Sequence, residues 1–352
     1  MAIFYTTLIL VFLFSLSSRV FSYKNRYIEY MMIFMVILVF ILVAGLRLNI
    51  GDTYVYIQQY EALGNFNGIL EGKDKGFTVF ILFLYRISTN PQFMIFVTSL
   101  VTQLGNIITL AKYRSYFELE TYMYITSGYF LTSMNGIRQS LAATIVFFFT
   151  KYIINGRFIP YLIIVLIMST IHGSALIMIP VYFIVRNKAW SKQTIIIIVL
   201  TSIAFLFFYQ LVPILMDVIG NSTYKEYEKD LLTAGGGSSF MRVLVNLVPV
   251  ILSYIYRDKI KKIWPESDVF VNMSLLNLII ILFATYNWIF ARFSIYFELY
   301  NFILLPFIIK NCFEERKERN LVYYLFLICY FIFFYREQVI GGVGLGYKSS
   351  YF

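Results

Sequence analysis

Histidine occurs once in the 352 residues and cysteine twice, and charged side chains make up only 14% of the chain. Each scarcity removes a class of protein. Cys312 and Cys329 form no CxxC pair and share no metal-ligand spacing with the lone His172, so they read as structural thiols, and neither a metal site nor a disulfide framework is written here. So little charge, with a mean hydropathy of +0.74, is incompatible with a water-soluble globule of this size. No polar stretch is long enough for a separate soluble domain, so residues 1–352 are expected to form a single integral membrane domain. The formal charge of +10 is dispersed among apolar segments rather than gathered into a basic domain. That argues against a nucleic-acid partner and for charge that orients membrane helices.

What the sequence has in abundance is long apolar runs, such as "LILVFLFSL", "MMIFMVILVFILVAGL" and "TIIIIVLTSIAFLFFYQLV", several approaching the roughly 20 residues that span a hydrocarbon core. The first run has no positive leader and no small-x-small cleavage site, so it is expected to be a retained helix. Polar junctions at 19–29, 112–120, 151–157, 186–192, 257–266 and 310–319 hold 18 of the 29 basic residues and are expected on the cytoplasmic side. The chain then reads as an all-α polytopic protein of the cytoplasmic membrane with about twelve spans. These are expected near 2–18, 30–46, 91–111, 120–133, 135–151, 158–171, 172–185, 194–216, 241–256, 268–285, 291–309 and 320–335. Both termini and the 47–75 and 217–240 loops fall outside. The segment "GFTVFILFLYRIS" (76–88) is too short to cross easily and reads as re-entrant or interfacial, and the short spans at 120–133 and 158–185 suggest half-helices or a re-entrant pair. The tract "TAGGGSS" (233–239) and the glycine-rich tail read as flexible.

Under this topology unusual polar residues collect on one face. Arg47 ends the second helix, Arg138 and Gln139 open another in "MNGIRQSLAAT", His172 sits at the turn "STIHGSAL", Arg242 follows the glycine-rich tract, and Arg292 lies in "NWIFARFSIYFELY". Taken singly, an arginine at a helix end is an interfacial anchor and a lone histidine is a packing residue. Together they run against the positive-inside bias. Their planar forks suit bidentate binding of a diphosphate, so an anionic lipid head group fits the set. Most of the 30 tyrosines belong to interfacial aromatic belts, although aromatic faces near helix ends also suit a sugar-binding groove.

The motifs "AGLRLNIGDTYVYIQQY" (44–60), "NGIRQSLAA" (135–143), "HGSALIMIPVYFIVRNKAWS" (172–191), "NSTYKEYEKDLLT" (221–233) and "FARFSIYFELY" (290–300) resemble the EpsG family of biofilm exopolysaccharide membrane proteins and the wider Wzy-like polymerases. The chain departs from the family pattern where Gly51 and Asp52 adjoin instead of being separated by one more residue; Asp52 and Tyr56 keep the family's mutual spacing. The resemblance implies a GT-C-like fold and metal-independent, cofactor-free glycosyl transfer at the outer membrane face. Undecaprenyl-diphosphate-linked oligosaccharide repeats would be the substrate, with a flippase and a chain-length regulator as further partners. Within that reading Asp52 and His172 are the expected catalytic groups, and Arg47, Tyr56, Arg138, Gln139, Arg242 and Arg292 the expected contacts to diphosphate or saccharide. A transporter for the same lipid-linked saccharide, a polysaccharide ligase and a non-catalytic scaffold are the alternatives. A basic path through the membrane would mark the transporter, and a large interaction domain the scaffold; the sequence has neither feature.

Overall fold

Apolar runs and polar punctuation together set where helices begin and end in the computed structural model, which describes residues 2–22, 24–65, 74–208, 210, 237–341 and 346–351. Helices α1 (Ala2–Phe21) and α2 (Arg26–Gly45) form an antiparallel hairpin, and the Asn25 side chain caps α2 by accepting from the backbone N–H groups of Tyr27 and Ile28. Asn90 caps α5 (Pro91–Tyr113) in the same way, with Pro91 in the first turn where its missing N–H costs nothing. Along α2 the buried residues Ile33, Val36, Ile37, Phe40, Ile41 and Ala44 recur at helical spacing, while Met31 and Phe34 on the opposite side are exposed. Apolar residues on both faces mark a helix packed against protein on one side and lipid on the other.

The chain packs as two units, Met1–Tyr182 with Leu305–Phe352, and Phe183–Leu304. In the first unit, α6 (Phe117–Thr126) and α7 (Tyr129–Asn135) are separated at Gly128, whose φ of +88° suits glycine. They climb together from Arg19, which pairs with Glu118, to the turn at Gly51, which abuts Asn135. Helices α8 (Ile137–Phe148) and α9 (Thr150–Ile154) follow, then α10 (Phe158–Ile171), with α3 (Thr53–Ala62) and α4 (Lys75–Ile87) packed at one end. Because apolar helices gain little by contact with one another in lipid, buried polar pairs add cohesion of about 0.6 kcal/mol each. Ser15 with Thr121 (2.9 Å), Gln103 with Ser133 (3.0 Å) and Asn106 with Tyr124 (3.1 Å) are such pairs. Helix α11 (Met178–Val185) leads into the second unit, which holds α12 (Lys192–Leu206), α13 (Phe240–Ile255), α14 (Arg257–Ile263), α15 (Ser267–Ala284) and α16 (Trp288–Ser294). There Asn246 accepts from Asn277 (2.7 Å) and Asn301 (2.8 Å) inside the unit. Helices α17 (Glu298–Cys312) and α18 (Arg316–Phe334) complete the chain.

The all-helical architecture with apolar helices suited to a membrane stands. Among the described residues five helices are long and apolar enough to cross a membrane, or seven if α13 with α14, bent by 78°, and α16 with α17, bent by 59°, each make one span. Of the other expected spans, 120–133 is divided at Gly128, those near 135–151, 158–171 and 172–185 hold shorter apolar helices, and 194–216 extends beyond the described residues. The 76–88 segment is a separate 13-residue helix, α4, short of a crossing. Residues 66–73 and 217–236 of the two expected outer loops lie outside the described residues, as does most of the 233–239 tract. Of the glycine-rich tail, residues 342–345 also lie outside the described residues, while Gly346 and Lys348 are bonded to the 48–49 turn.

Candidate functional site

Where α2 stops, Arg47 folds back into the protein, and each of its three guanidinium nitrogens donates to protein. Nε donates to Thr53 Oγ1 (3.0 Å), one terminal nitrogen to Ser99 Oγ (2.9 Å) and the Ala44 carbonyl, and the other to the Met134 carbonyl (2.8 Å). With 1% of its surface exposed, Arg47 ties the ends of α2 and α7 to α5 and the start of α3. The chain reverses at Ile50 (φ 118°) and Gly51 (φ +52°) before entering α3. A β-branched residue at that φ is strained, so the turn persists only because its surroundings hold it. The Asp52 N–H donates to Asn135 Oδ1 (2.8 Å), and Thr53 Oγ1 donates to the Ile50 carbonyl (2.7 Å). Gly51 is required for space as well as conformation, since a Cβ there would lie 2.0 Å from Asn135 Oδ1.

The C-terminal tail straps the same turn. Leu48 N–H donates to the Lys348 carbonyl (2.9 Å), Lys348 N–H donates to Asn49 Oδ1 (2.7 Å), and the Asn49 amide donates to the Gly346 carbonyl. Tyr347 Oη donates to the Val43 carbonyl (3.0 Å). Burial pushes the Tyr347 phenol above its ordinary value.

The turn leaves Asp52 exposed at the N-cap of α3, with its side chain not used as a cap, and one turn later places Tyr56 against Arg138. Arg138 stands in the first turn of α8. Its Nε donates to Tyr56 Oη (3.4 Å), one terminal nitrogen pairs with Asp74 (2.8 Å), and the guanidinium carbon lies 5.7 Å from the Tyr56 ring centroid and 5.8 Å from that of Phe77. Asp52 also acts on it electrostatically. Unlike Arg47, Arg138 is 35% exposed at the side chain, and its second terminal nitrogen has no protein acceptor among the described residues.

The neighbouring Gln139 is buried and donates to Ser174 Oγ (3.2 Å), which in turn lies 2.6 Å from His172 Nδ1. His172 follows α10 directly, and the last turn of α10 meets the first turn of α4 so closely that a Cβ on Gly76 would lie 2.0 Å from Thr170 Oγ1. Contacts therefore close into a ring: Asp74, Arg138, Gln139, Ser174, His172 and back through Thr170 to α4. The first unit thus brings Arg47, Asp52, Tyr56, Arg138, Gln139 and His172 to one end. This is the end opposite Arg19, Glu29 and Arg114, since the N-terminus of α5 bonds the C-terminus of α2 through Gln92 and Gly45, and the α5 C-terminus meets the α2 N-terminus through Arg114 and Glu29.

Arg242 and Arg292 belong to the second unit. Arg242 lies in the first turn of α13, its N–H directed at Ser239 Oγ (3.3 Å), and Arg292 on α16 is exposed with its guanidinium 4.6 Å from the Trp288 ring centroid. Ser238 N–H donates to the Ala284 carbonyl (2.7 Å), which sets the start of α13 beside the end of α15, just before α16. Residues that the sequence did not single out complete the first-unit site: Asp74, Asn135, Ser174 and the tail. Asn135 and Ser174 stand inside the conspicuous motifs, whereas nothing local marks Asp74 or Tyr347.

No curated protein matches the chain, and no solved structure does. The EpsG family model matches residues 30–343, a span that begins within α2, runs past α18 and includes Arg47, Asp52, Tyr56, Arg138, Gln139, His172, Arg242 and Arg292. A match over most of the chain, on an all-helical protein whose apolar helices suit a bilayer, settles the family: the chain belongs to the EpsG family of exopolysaccharide-biosynthesis membrane proteins.

Proposed function

We propose that this protein polymerises undecaprenyl-diphosphate-linked oligosaccharide repeats into exopolysaccharide at the outer face of the cytoplasmic membrane. It would act as a metal-independent, GT-C-like glycosyltransferase that contributes to a biofilm matrix. The observation that carries the reading is Arg138, a partly exposed arginine one of whose terminal nitrogens has no acceptor among the described residues, set among Asp52, Tyr56 and the Gln139–Ser174–His172 chain. An uncommitted guanidinium edge suits a phosphate oxygen, and the flanking Tyr56 and Phe77 rings hold the cation in place.

In the proposed reaction the hydroxyl at the non-reducing end of one lipid-linked unit attacks the anomeric carbon of the growing chain. The anomeric carbon–oxygen bond to diphosphate breaks, and undecaprenyl diphosphate leaves with the electron pair. Diphosphate is already a competent leaving group, so the protein has to align the acceptor and stabilise developing negative charge. Arg138 takes the second task. Asp52 orients the acceptor hydroxyl and receives its proton, and His172, fixed through Ser174, is the hydrogen-bond donor or proton-transfer group beside the diphosphate. Arg47 is assigned a different role from an open phosphate contact: four of its five N–H donors go to protein, and it holds the strained turn that presents Asp52. Arg242 and Arg292 are proposed substrate contacts of the second unit. A flippase delivering substrate and a regulator of chain length are the proposed partners.

The test is reconstitution of the purified chain in proteoliposomes with lipid-linked repeat unit. A ladder of longer products is expected, lost in Arg138→Ala and little restored by Arg138→Lys, because an ammonium cannot reproduce the planar fork. Transbilayer movement of the substrate with no ladder would turn the assignment to a transporter, and transfer of finished polymer to a different acceptor would make it a ligase.

A further inference from the structure

At the end of the first unit opposite the candidate site lies a half-open cavity of about 610 Å³. Four cations from four separate stretches of chain line it: Arg19 at the end of α1, Arg114 after α5, Lys310 at the end of α17 and Arg319 in the first turn of α18. Two of them are neutralised, Arg19 by Glu118 (2.7 Å) and Arg114 by Glu29. Glu118 also attracts Lys310, so one carboxylate faces two cations; Lys310 Nζ donates to the Ser115 carbonyl (3.2 Å), and the Arg319 side chain has no partner among the described residues. The Tyr116 ring fixes the walls, with the Arg19 guanidinium 4.8 Å and the Lys310 ammonium 5.9 Å from its centroid.

The nearby acids do not cancel this charge. Glu118 is committed to Arg19 and to Tyr323 Oη (3.0 Å), Glu120 is buried and accepts from the Ser115 N–H (2.6 Å), and Glu314, Glu315 and Glu318 on the turn into α18 do not line the cavity. A concave site lined by four cations, against which stand the two paired carboxylates of Glu118 and Glu29, is built for a phosphate group. Its position is equally specific. The cavity sits where the basic ends of α1, α2, α5 and α18 gather, the cytoplasmic side by the distribution of positive charge, so a phosphate carried by a membrane lipid would reach it from the inner leaflet.

We infer that this cavity binds a phosphate-bearing ligand at the cytoplasmic face, held chiefly by Lys310 and Arg319 and separate from the site around Arg138. Two sources share that chemistry, the headgroup of an anionic phospholipid and a small soluble phosphate. The experiment uses the full chain in nanodiscs or mild detergent, titrated in one arm with short-chain phosphatidylglycerol and in the other with glycerol phosphate, with retained ligand counted by native mass spectrometry. Binding is expected to weaken about 30-fold in Lys310→Gln/Arg319→Gln, from roughly a kilocalorie per mole for each cation at a membrane surface, and to survive in Lys310→Arg/Arg319→Lys. A response to phosphatidylglycerol alone assigns the headgroup, and competition by glycerol phosphate assigns the soluble source. Lys24→Gln/Arg316→Gln removes two cations of the same face that do not line the cavity. An equal loss in that variant, unchanged binding in the Lys310/Arg319 glutamine pair, or no binding of either probe by the unmodified chain would overturn the inference. The melting temperature of each variant without ligand separates a binding defect from a folding one.

Discussion

Replacing Arg47 by lysine keeps the charge and most of the length of the side chain, so the effect isolates the geometry of the fork. An ammonium is a single point of donation and reaches the acceptors of at most one guanidinium nitrogen. If it keeps the Ala44 carbonyl and Ser99 Oγ, the bonds to Thr53 Oγ1 and the Met134 carbonyl are lost. Thr53 retains its bond to Ile50, but a buried acceptor on α7 is abandoned. Two charge-assisted bonds at ~1.5–3 kcal/mol each give a loss of about 3–6 kcal/mol. At about 2 °C per kcal/mol for a chain of this size, the unfolding midpoint should fall by roughly 6–12 °C. The buried Cys312, 2% exposed, provides the assay: a thiol-reactive fluorophore reports unfolding in a Cys329→Ser background. Arg138→Lys is the comparison, because its partly exposed pair with Asp74 contributes only about 0–1 kcal/mol and the midpoint should move by no more than about 2 °C. If Arg47→Lys melted with the unmodified protein yet made no polymer, the reasoning would fail and Arg47 would be a substrate contact after all.

Two further outcomes follow from the geometry. Ser174→Ala removes the link between Gln139 and His172, so it should lower turnover and alter its pH profile nearly as much as His172→Gln; full activity with an unchanged profile in both variants would reduce His172 to a packing residue. For topology, cysteines placed singly at Gly173 and Lys348 in a chain lacking Cys312 and Cys329 should react with a membrane-impermeant thiol reagent in intact cells. Cysteines at Lys24 and Arg316 should require permeabilisation, and the reverse pattern would put the candidate site in the cytoplasm.

The individual motifs around the candidate site were legible because their residues are expensive where they stand. An arginine after an aliphatic helix, a histidine in an apolar turn and "NGIRQS" opening a helix each violate the local rule, and such violations mark places held by specific partners. Asp74 was invisible for the opposite reason: an acid in a polar loop violates nothing, and its pairing with Arg138 spans 64 positions of sequence. The tail reads as flexible from its glycines, yet its backbone bonds to Asn49 and Leu48 are made across nearly 300 positions.

The sequence by itself determined the class of protein, the side of the membrane expected for each junction and the chemistry of the exceptional residues, because apolar run length and charge placement act locally against the bilayer. Only the tertiary structure decided which partners each arginine has. Arg47 and Arg138 look alike as arginines beside apolar helices, and either would suit a phosphate. Packing surrounds one with Thr53, Ser99, Ala44 and Met134 and gives the other, among the described residues, only Tyr56 and Asp74 as hydrogen-bond partners. A guanidinium has five N–H donors wherever it stands, and the fold determines how many remain for a ligand.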